Sequence, residues 1–254
     1  MELVRRGLVA SRARAVEAIE CGRVTVDGAP AVSAARQVAP GEAITVSGDG
    51  PRFVSRGGEK LEAALDGFGV DVAGCRVLDA GASTGGFTDC LLQRGAAAVV
   101  AVDVGRGQLA WSLRTDRRVT VLERTNIRHL EELPGGPVPR AVADLSFISL
   151  TVVAPALAAL TTPDAQLVLL VKPQFEAGRG RVGSGGVVRD PAVHRAVLGE
   201  VVPGLAEAGL IVTDVMPSPV RGADGNREFL ALVAKAGQPV PAATLDAVVE
   251  EADR

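Results

Sequence analysis

Of the 27 basic residues in this 254-residue chain, 24 are arginine and three are lysine, at Lys60, Lys172 and Lys235. Arginine keeps its proton in any protein setting, whereas a lysine amine is compact and can be tuned towards neutrality. A lysine kept in such a composition therefore suits a task that a guanidinium cannot perform. Lys172 closes the apolar run 167–171 and precedes Pro173-Gln174-Phe175-Glu176, and Lys60 follows Ser55-Arg56-Gly57-Gly58-Glu59, while Lys235 lies outside every motif. Two carboxylates stand at the edges of other apolar runs, Asp144 after 141–143 and Glu228 at the start of the run that continues through 229–233. Lysines and carboxylates gathered in one pocket can orient a hydroxyl, move its proton or stabilise an oxyanion.

A second chemical feature is Leu78-Asp79-Ala80-Gly81-Ala82-Ser83-Thr84-Gly85-Gly86-Phe87. Glycines between a strand and a helix let the backbone approach a ligand, and the helix start offers unpaired N–H groups. Asp103 ends the next apolar run, 22 residues beyond Gly81. An αβ nucleotide fold places there the carboxylate that receives a ribose diol. The spacing Gly81-x-x-x-Gly85-Gly86 is not GxGxxG, and GxxxxGK[ST] is absent, so neither a dinucleotide fingerprint nor a nucleotide-triphosphate loop is present.

These residues require a scaffold. From Arg76 onward the patterning predicts strands at 76–80, 98–102, 119–122, 141–143, 167–171, 211–215 and 229–233. Helices are predicted at 61–65, 88–94, 108–113, 150–160 and 191–208. Such alternation predicts an α/β fold with a parallel, doubly wound sheet, whose strand C-termini form the ligand-binding edge. Residues 1–46 read as a separate small α+β module. In it, apolar periodicity over 3–9 is followed by Ser11 as an N-cap and a helix over 12–20 that stops at Gly22. Then come Val24-Thr25-Val26, the turn pair Asp27-Gly28, a second run through Val32, and a short strand at 44–46. Residues 47–55, which include Ser47-Gly48-Asp49-Gly50-Pro51, read as a linker, leaving 56–254 for the sheet domain.

A content of 47% hydrophobic and 22% charged residues excludes a disordered chain. No apolar stretch reaches the roughly 18 residues of a membrane span and the start lacks a secretory core, which predicts a cytoplasmic protein without membrane contact. Cys21, Cys75 and Cys90 are scattered and only His129 and His194 are available, so neither a disulfide framework nor a metal site is expected. A net charge of −3 argues against a generic polyanion binder. Locally, however, Arg5, Arg6, Arg12 and Arg14 gather on the first two helices, and Arg52, Arg56, Arg179, Arg181, Arg189 and Arg195 flank the expected pocket.

The order Lys60, Asp144, Lys172, Glu228 around a DxGxxxGGF turn resembles the K-D-K-E tetrad of the FtsJ-like RNA ribose 2′-O-methyltransferases. The wording SRGG-K-L, LDAGASTGGFTD, AVDVGRGQLAWSLR, ERTNIR, DLSFISL, LLVKPQFE and GNREF resembles the TlyA family over residues 2–234. In the first module, LVRRGLxxSRxxA and GxVxVDG resemble an S4 RNA-binding domain. The resemblance implies a class I (Rossmann-like) methyltransferase sheet whose last strand runs antiparallel and brings Glu228 to the same edge. It implies S-adenosylmethionine as cofactor, held by Asp79, Gly81, Ala82, Ser83, Thr84, Gly85, Gly86, Phe87, Asp103, Asn126, Asp144 and Phe147. It also implies catalysis by Lys60, Asp144, Lys172 and Glu228, RNA contacts from Arg5, Arg6, Arg12 and Arg14, and no metal. The implied reaction is 2′-O-methylation of cytidine ribose in 16S and 23S ribosomal RNA within ribosomal subunits.

In that reading Lys172 stands nearest the 2′-hydroxyl, as base or as electrostatic stabiliser. A base role would require burial or Lys60 to lower its proton affinity. Ordinary alternatives stay open: Asp144 as a helix cap, Glu228 as a surface strand residue, Lys60 as a solvated helix residue, and Asn126 as a turn residue rather than an adenine contact. Phe147 and Phe175 could be core or could stack on adenine or the target base. Other methyltransferase chemistries fit less well, because no proline pair follows Asp144 and no cysteine lies near the fourth or fifth strand. Two further classes are a ribosome-binding or assembly factor with a vestigial methyltransferase domain, and a membrane-active haemolysin, a label attached to the family. The complete tetrad argues against the first, and the lack of a membrane segment against the second. Two departures from the family pattern stand out: the RLD-like basic start of the S4 domain is missing, and Phe53 occupies a position where relatives commonly carry Trp.

Overall fold

The computed structural model describes residues 2–9, 12–20, 22–48, 52–222 and 224–253, with the side chains of 13, 14, 17, 179 and 184 outside the description. The chain divides into two compact units, Met1–Arg52 and Phe53–Arg254.

In the smaller unit, α1 (Glu2–Arg5) and α2 (Arg12–Glu20) are followed by β1 (Val24–Val26), β2 (Ala29–Pro30) and β3 (Ile44–Val46). The strands form an antiparallel sheet in the order β2-β1-β3. Leu3, Ala15, Ala18, Val24, Val26 and Ala31 make its core. The predicted first helix over 3–9 is shorter. Gly7 turns left-handed (φ 70°), and the N–H groups of Gly7 and Leu8 close on the carbonyls of Val4 and Leu3, a glycine C-cap. Asp27 and Gly28 are both left-handed, as a two-residue hairpin turn requires. The second hairpin strand ends at Pro30, short of Val32, because proline brings no N–H to a ladder. Ser11, the predicted N-cap, and Cys21 lie outside the described residues.

The larger unit runs α3 (Gly57–Phe68), β4 (Arg76–Ala80), α4 (Gly86–Gln93), β5 (Ala98–Val102), α5 (Trp111–Arg114), β6 (Val119–Leu122) and β7 (Val138–Ala143). It continues with α6 (Leu150–Ala159), β8 (Thr161–Val171), α7 (Pro173–Glu176), α8 (Pro191–Glu207), β9 (Ile211–Pro217), β10 (Phe229–Ala234) and α9 (Ala242–Ala252). The sheet order is β6-β5-β4-β7-β8-β10-β9, parallel from β6 to β8, with β10 antiparallel to both its neighbours. Apolar runs such as Ala98–Val102 suit strands covered on both faces. One face carries α6, α8 and α9 over Leu78, Val100, Leu167 and Phe229. The other carries α3 and α4 over Val77, Val99, Val142 and Leu170. The chain reverses its winding at β4, and the crevice between the C-terminal ends of β4 and β7 is where such sheets bind ligands.

Several boundaries differ from the sequence reading. Strands β7 and β8 begin earlier, α5 is a single turn, and α9 had no predicted counterpart. Of the linker read over 47–55, residues 53–55 belong to the larger unit. Phe53 is 3% exposed in the core beneath α3, where Gly58 leaves room for its ring, and Val54 donates its N–H to Asp89 at 2.8 Å.

Candidate active site

At the end of β4, Gly81 turns left-handed (φ 87°) and donates its N–H to the Val102 carbonyl at 2.8 Å. A Cβ there would lie 2.5 Å from the Asp144 carbonyl oxygen, so only glycine lets the two strand ends come this close. Beyond the turn, Ser83 N–H donates to Asp103 Oδ2 at 2.8 Å and Gly105 N–H to Oδ1 at 2.6 Å. Each oxygen of this fixed carboxylate retains capacity to accept a further hydroxyl.

Two adjoining cavities open at this edge. The larger, about 490 Å3, is lined by Asp103, Val104, Gln108, Asn126, Ile127 and Phe147 among others. The smaller, about 280 Å3, is lined by Ser55, Arg56, Lys60, Ala82, Thr84, Gly86, Phe87, Lys172 and Glu228 among others. Both share Gly81, Ser83, Asp144 and Ser146, so they are two lobes of one cleft.

Two predicted cofactor residues take supporting places. Gly85 forms the left-handed N-cap of α4 and packs against Leu109. Asp79 is fully buried beneath the turn and lines neither lobe. Its Oδ2 accepts the Thr88 hydroxyl at 2.6 Å, while Oδ1 has no partner among the described residues. Burial pushes the Asp79 carboxyl up to about 7; the Thr88 bond opposes that shift, and the nearby Asp144 charge adds to it.

The four residues of the expected tetrad line the smaller lobe as two ion pairs. Lys60, on α3 and 7% exposed, holds its Nζ 2.5 Å from Glu228 Oε2. Lys172 Nζ lies 2.6 Å from Asp144 Oδ1 and donates to Ser146 Oγ at 3.0 Å. The elements explain the convergence. Asp144 follows β7 and is anchored by its N–H on the Ala80 carbonyl at 3.0 Å. Lys172 leaves β8 and is the N-cap of α7, with Pro173 next. Antiparallel pairing of Phe229 with Val171 sets Glu228 beside Lys172 at one sheet edge. Burying these charges is tolerable because each is paired. The bland alternatives for Lys60 and Glu228, a solvated helix residue and a surface strand residue, do not match these buried positions.

Asn126 both caps a short 3-10 turn, its Oδ1 accepting Arg128 N–H at 3.0 Å, and lines the larger lobe. Phe147 is not core. It is 90% exposed at φ 63°, its ring centroid 4.9 Å from that of half-buried Phe175. Lys235 is no idle surface lysine either, because Nζ donates to the carbonyls of Ala158 and Thr161 at 2.6 Å each and ties off the end of α6. Sequence reasoning passed over Ser55, Gln108, Ser146, Gln174 and Gly222. Each is polar or small and close to a motif at the sheet edge, and that proximity was the available signal.

The arginines divide. Arg5 is exposed and paired with Glu2, and Arg12 is exposed on α2. Arg6 is occupied by the fold, donating to the carbonyls of Ala39, Pro40 and Glu42 at 2.6–3.4 Å. The Arg14 side chain lies outside the described residues. Arg56 lines the smaller lobe, whereas Arg181 and Arg195 are engaged by Glu200 and Asp246. Among the described residues no group of three or more His, Cys, Asp or Glu side chains is placed to hold a metal ion, and no helix is long and apolar enough to cross a membrane.

A doubly wound sheet with an antiparallel β10, a glycine-lined crevice and the fixed Asp103 carboxylate defines a class I methyltransferase fold, preceded in the chain by a small α+β unit. The profile described as FtsJ-like methyltransferase matches residues 53–235, and that of the S4 domain matches 2–44. The chain belongs to the FtsJ-like methyltransferase family. It is 56% identical over 230 residues to the 16S/23S rRNA (cytidine-2′-O)-methyltransferase TlyA of Mycobacterium tuberculosis, covering 90% of this chain and 86% of that protein. It is 40% identical over 227 residues to Hemolysin A of Brachyspira hyodysenteriae, covering 89% and 94%. A solved structure from Streptococcus thermophilus, described as a candidate hemolysin, superposes with a TM-score of 0.81 at 39% identity over 99% of this chain and 93% of that one.

Family membership implies use of S-adenosylmethionine, and the cleft suits it. Asp103 offers two carboxylate oxygens to a ribose diol, the larger lobe has apolar walls in Val104 and Ile127, and the Gly81 turn admits close backbone approach.

Proposed function

We propose that this protein transfers a methyl group from S-adenosylmethionine to the 2′-hydroxyl of a cytidine in 16S and 23S ribosomal RNA, working on ribosomal subunits in the cytoplasm. The observation that carries this reading is the meeting of two lysine–carboxylate pairs in a lobe continuous with the glycine and Asp103 cradle. S-adenosylmethionine, held by Asp103, the Gly81–Ser83 turn and the walls of the larger lobe, supplies an electrophilic methyl group.

The chain's own residues prepare the nucleophile. A ribose hydroxyl attacks poorly unless its proton is drawn off and its oxygen is aligned. Lys172, ion-paired to Asp144 and hydrogen-bonded to Ser146, presents its Nζ at a fixed point. That arrangement supports a role in stabilising the oxygen as charge develops on it. Asp144 orients Lys172, and the Lys60–Glu228 pair supplies a second donor and acceptor for the hydroxyl and its neighbours. The exposed ring of Phe147, set against half-buried Phe175, suits stacking on an unpaired base, and the S4 unit, with Arg5 and Arg12 exposed, suits contact with the RNA backbone.

Cytidine and the two RNAs are the substrate named for the Mycobacterium tuberculosis relative, and 56% identity supports carrying it over. Mass mapping of 16S and 23S RNA from cells with and without the gene tests this reading. Loss of a 2′-O-methyl cytidine in the deletion, restored by the purified protein with S-adenosylmethionine, is expected. An identical methylation map in both strains would refute it.

A further inference from the structure

Glu228 is held from three sides. Lys60 Nζ meets Oε2 at 2.5 Å, and Gln174 Nε2 donates to Oε1 at 3.2 Å. Gly222 packs so close that a Cβ there would lie 2.5 Å from Oε1. An ionised carboxylate only accepts hydrogen bonds, so the Gln174 amide must turn its nitrogen towards Glu228. That orientation leaves Gln174 Oε1 buried and without a partner among the described residues. An amide held at such a local cost is explained by the contact it makes with its other end.

Gln174 also occupies an informative place in the chain. It follows Lys172 by two residues on the single turn α7. The last residue of that turn, Glu176, accepts the Ser149 hydroxyl at 2.6 Å and the Leu150 N–H at 2.8 Å, pinning α7 to the start of α6. One short, doubly anchored segment therefore carries both Lys172 and the amide that holds Glu228.

We propose that Gln174 is a positioning residue for methyl transfer: it fixes the Glu228 carboxylate, and through it Lys60, relative to the Lys172–Asp144 pair. This rests on the functional reading above. Gln174 touches neither the hydroxyl nor the methyl donor in this account and acts through Glu228.

The test is single-turnover methylation of ribosomal RNA by the full chain, comparing wild type, Gln174→Leu and Gln174→Glu near pH 6 and near pH 8.5. The ionisable and charged groups at this edge include Lys60, Arg56, Asp144, Lys172, Glu228 and Glu176, with Asp79 and Asp103 at the neighbouring strand ends. Gln174→Leu keeps the approximate volume without a donor, and its rate should fall roughly tenfold at both pH values with S-adenosylmethionine affinity unchanged. In Gln174→Glu the introduced carboxyl faces Glu228, and the two share a proton at the acid end, restoring a donor. Its rate relative to wild type should thus recover to within about threefold near pH 6 and drop below that of Gln174→Leu near pH 8.5.

That inversion separates positioning from a merely structural role. Wild-type rates in Gln174→Leu would overturn the proposal, as would equal impairment of both variants at both pH values or loss of folding in both. A wild-type chain that transfers no methyl group would overturn the functional reading and this proposal with it. An active wild type matched by an equally active Gln174→Leu overturns the proposal alone.

Discussion

Replacing Asp79 by asparagine should change how the ligand-free protein's stability depends on pH. The Asp79 carboxyl is fully buried, accepts one hydrogen bond from Thr88 and leaves its other oxygen unpartnered. Burial raises it from an ordinary 3.8 to about 7 in the folded state. Between those values the unfolded chain has released the proton and the folded chain keeps it. Stability contributed by Asp79 is therefore full below about pH 4 and lost as pH rises to about 7. At about 1.4 kcal/mol per pH unit, the window removes roughly 4 kcal/mol. Asparagine can still accept the Thr88 hydrogen bond and has no proton to release. An unsatisfied buried amide group costs about 1–3 kcal/mol, but that offset does not vary with pH. The diagnostic is thus the slope: the stability of Asp79→Asn relative to wild type should rise by about 1.4 kcal/mol per pH unit from about pH 4 to 7, then level off. Urea unfolding of both proteins across that range measures it directly, and a difference that stays flat with pH would refute the reasoning.

Asp103→Ala should weaken S-adenosylmethionine binding by about 1.5–3 kcal/mol through loss of charge-assisted hydrogen bonds, and unchanged affinity by calorimetry would move the site elsewhere. Lys172 sits within 2.6 Å of Asp144 and 3.0 Å of Ser146, a space for a compact ammonium, so Lys172→Arg should fail in single-turnover transfer almost as badly as Lys172→Ala. Near wild-type turnover in a folded Lys172→Arg protein would sink that argument. Lys235→Arg should lower stability by about 1–2 kcal/mol, since two short bonds to the end of α6 are disturbed, yet leave the rate per folded molecule unaltered. Neutralising Arg5 and Arg12 should flatten the salt dependence of RNA binding, whereas Arg6→Ala should chiefly destabilise the small unit, seen as a lowered melting temperature.

The parallel sheet was legible because β5 is an unbroken apolar run that meets Asp103, and β4, despite Arg76 and Asp79 within it, leads into Gly81. Three of the tetrad were legible because they flank such runs, Asp144 after β7, Lys172 after β8 and Glu228 before β10, whereas Lys60 lies on α3 and was marked by the SRGG motif before it. Other features depended on contacts that no local pattern encodes. Phe53 looked like linker because turn-formers precede it, yet its ring fills the space above Gly58. Phe147 lies in an apolar stretch, DLSFISL, but a left-handed backbone turns its ring outward. Lys235 matched no motif because its partners are carbonyl oxygens, which every residue possesses. Gly7 shortened a helix whose apolar periodicity ran past it.

The antiparallel strand β10 lies between β8 and β9, and Glu228 stands at its head, 168 residues from Lys60. During synthesis the elements around Asp79, Gly81 and Asp103 emerge long before the last quarter of the chain. The Lys60–Glu228 pair can close only after β10 has slotted between two strands already made, a long-range step of the kind that forms slowly. The turn around Gly81 and Asp103 is thus early and the Lys60–Glu228 pair late.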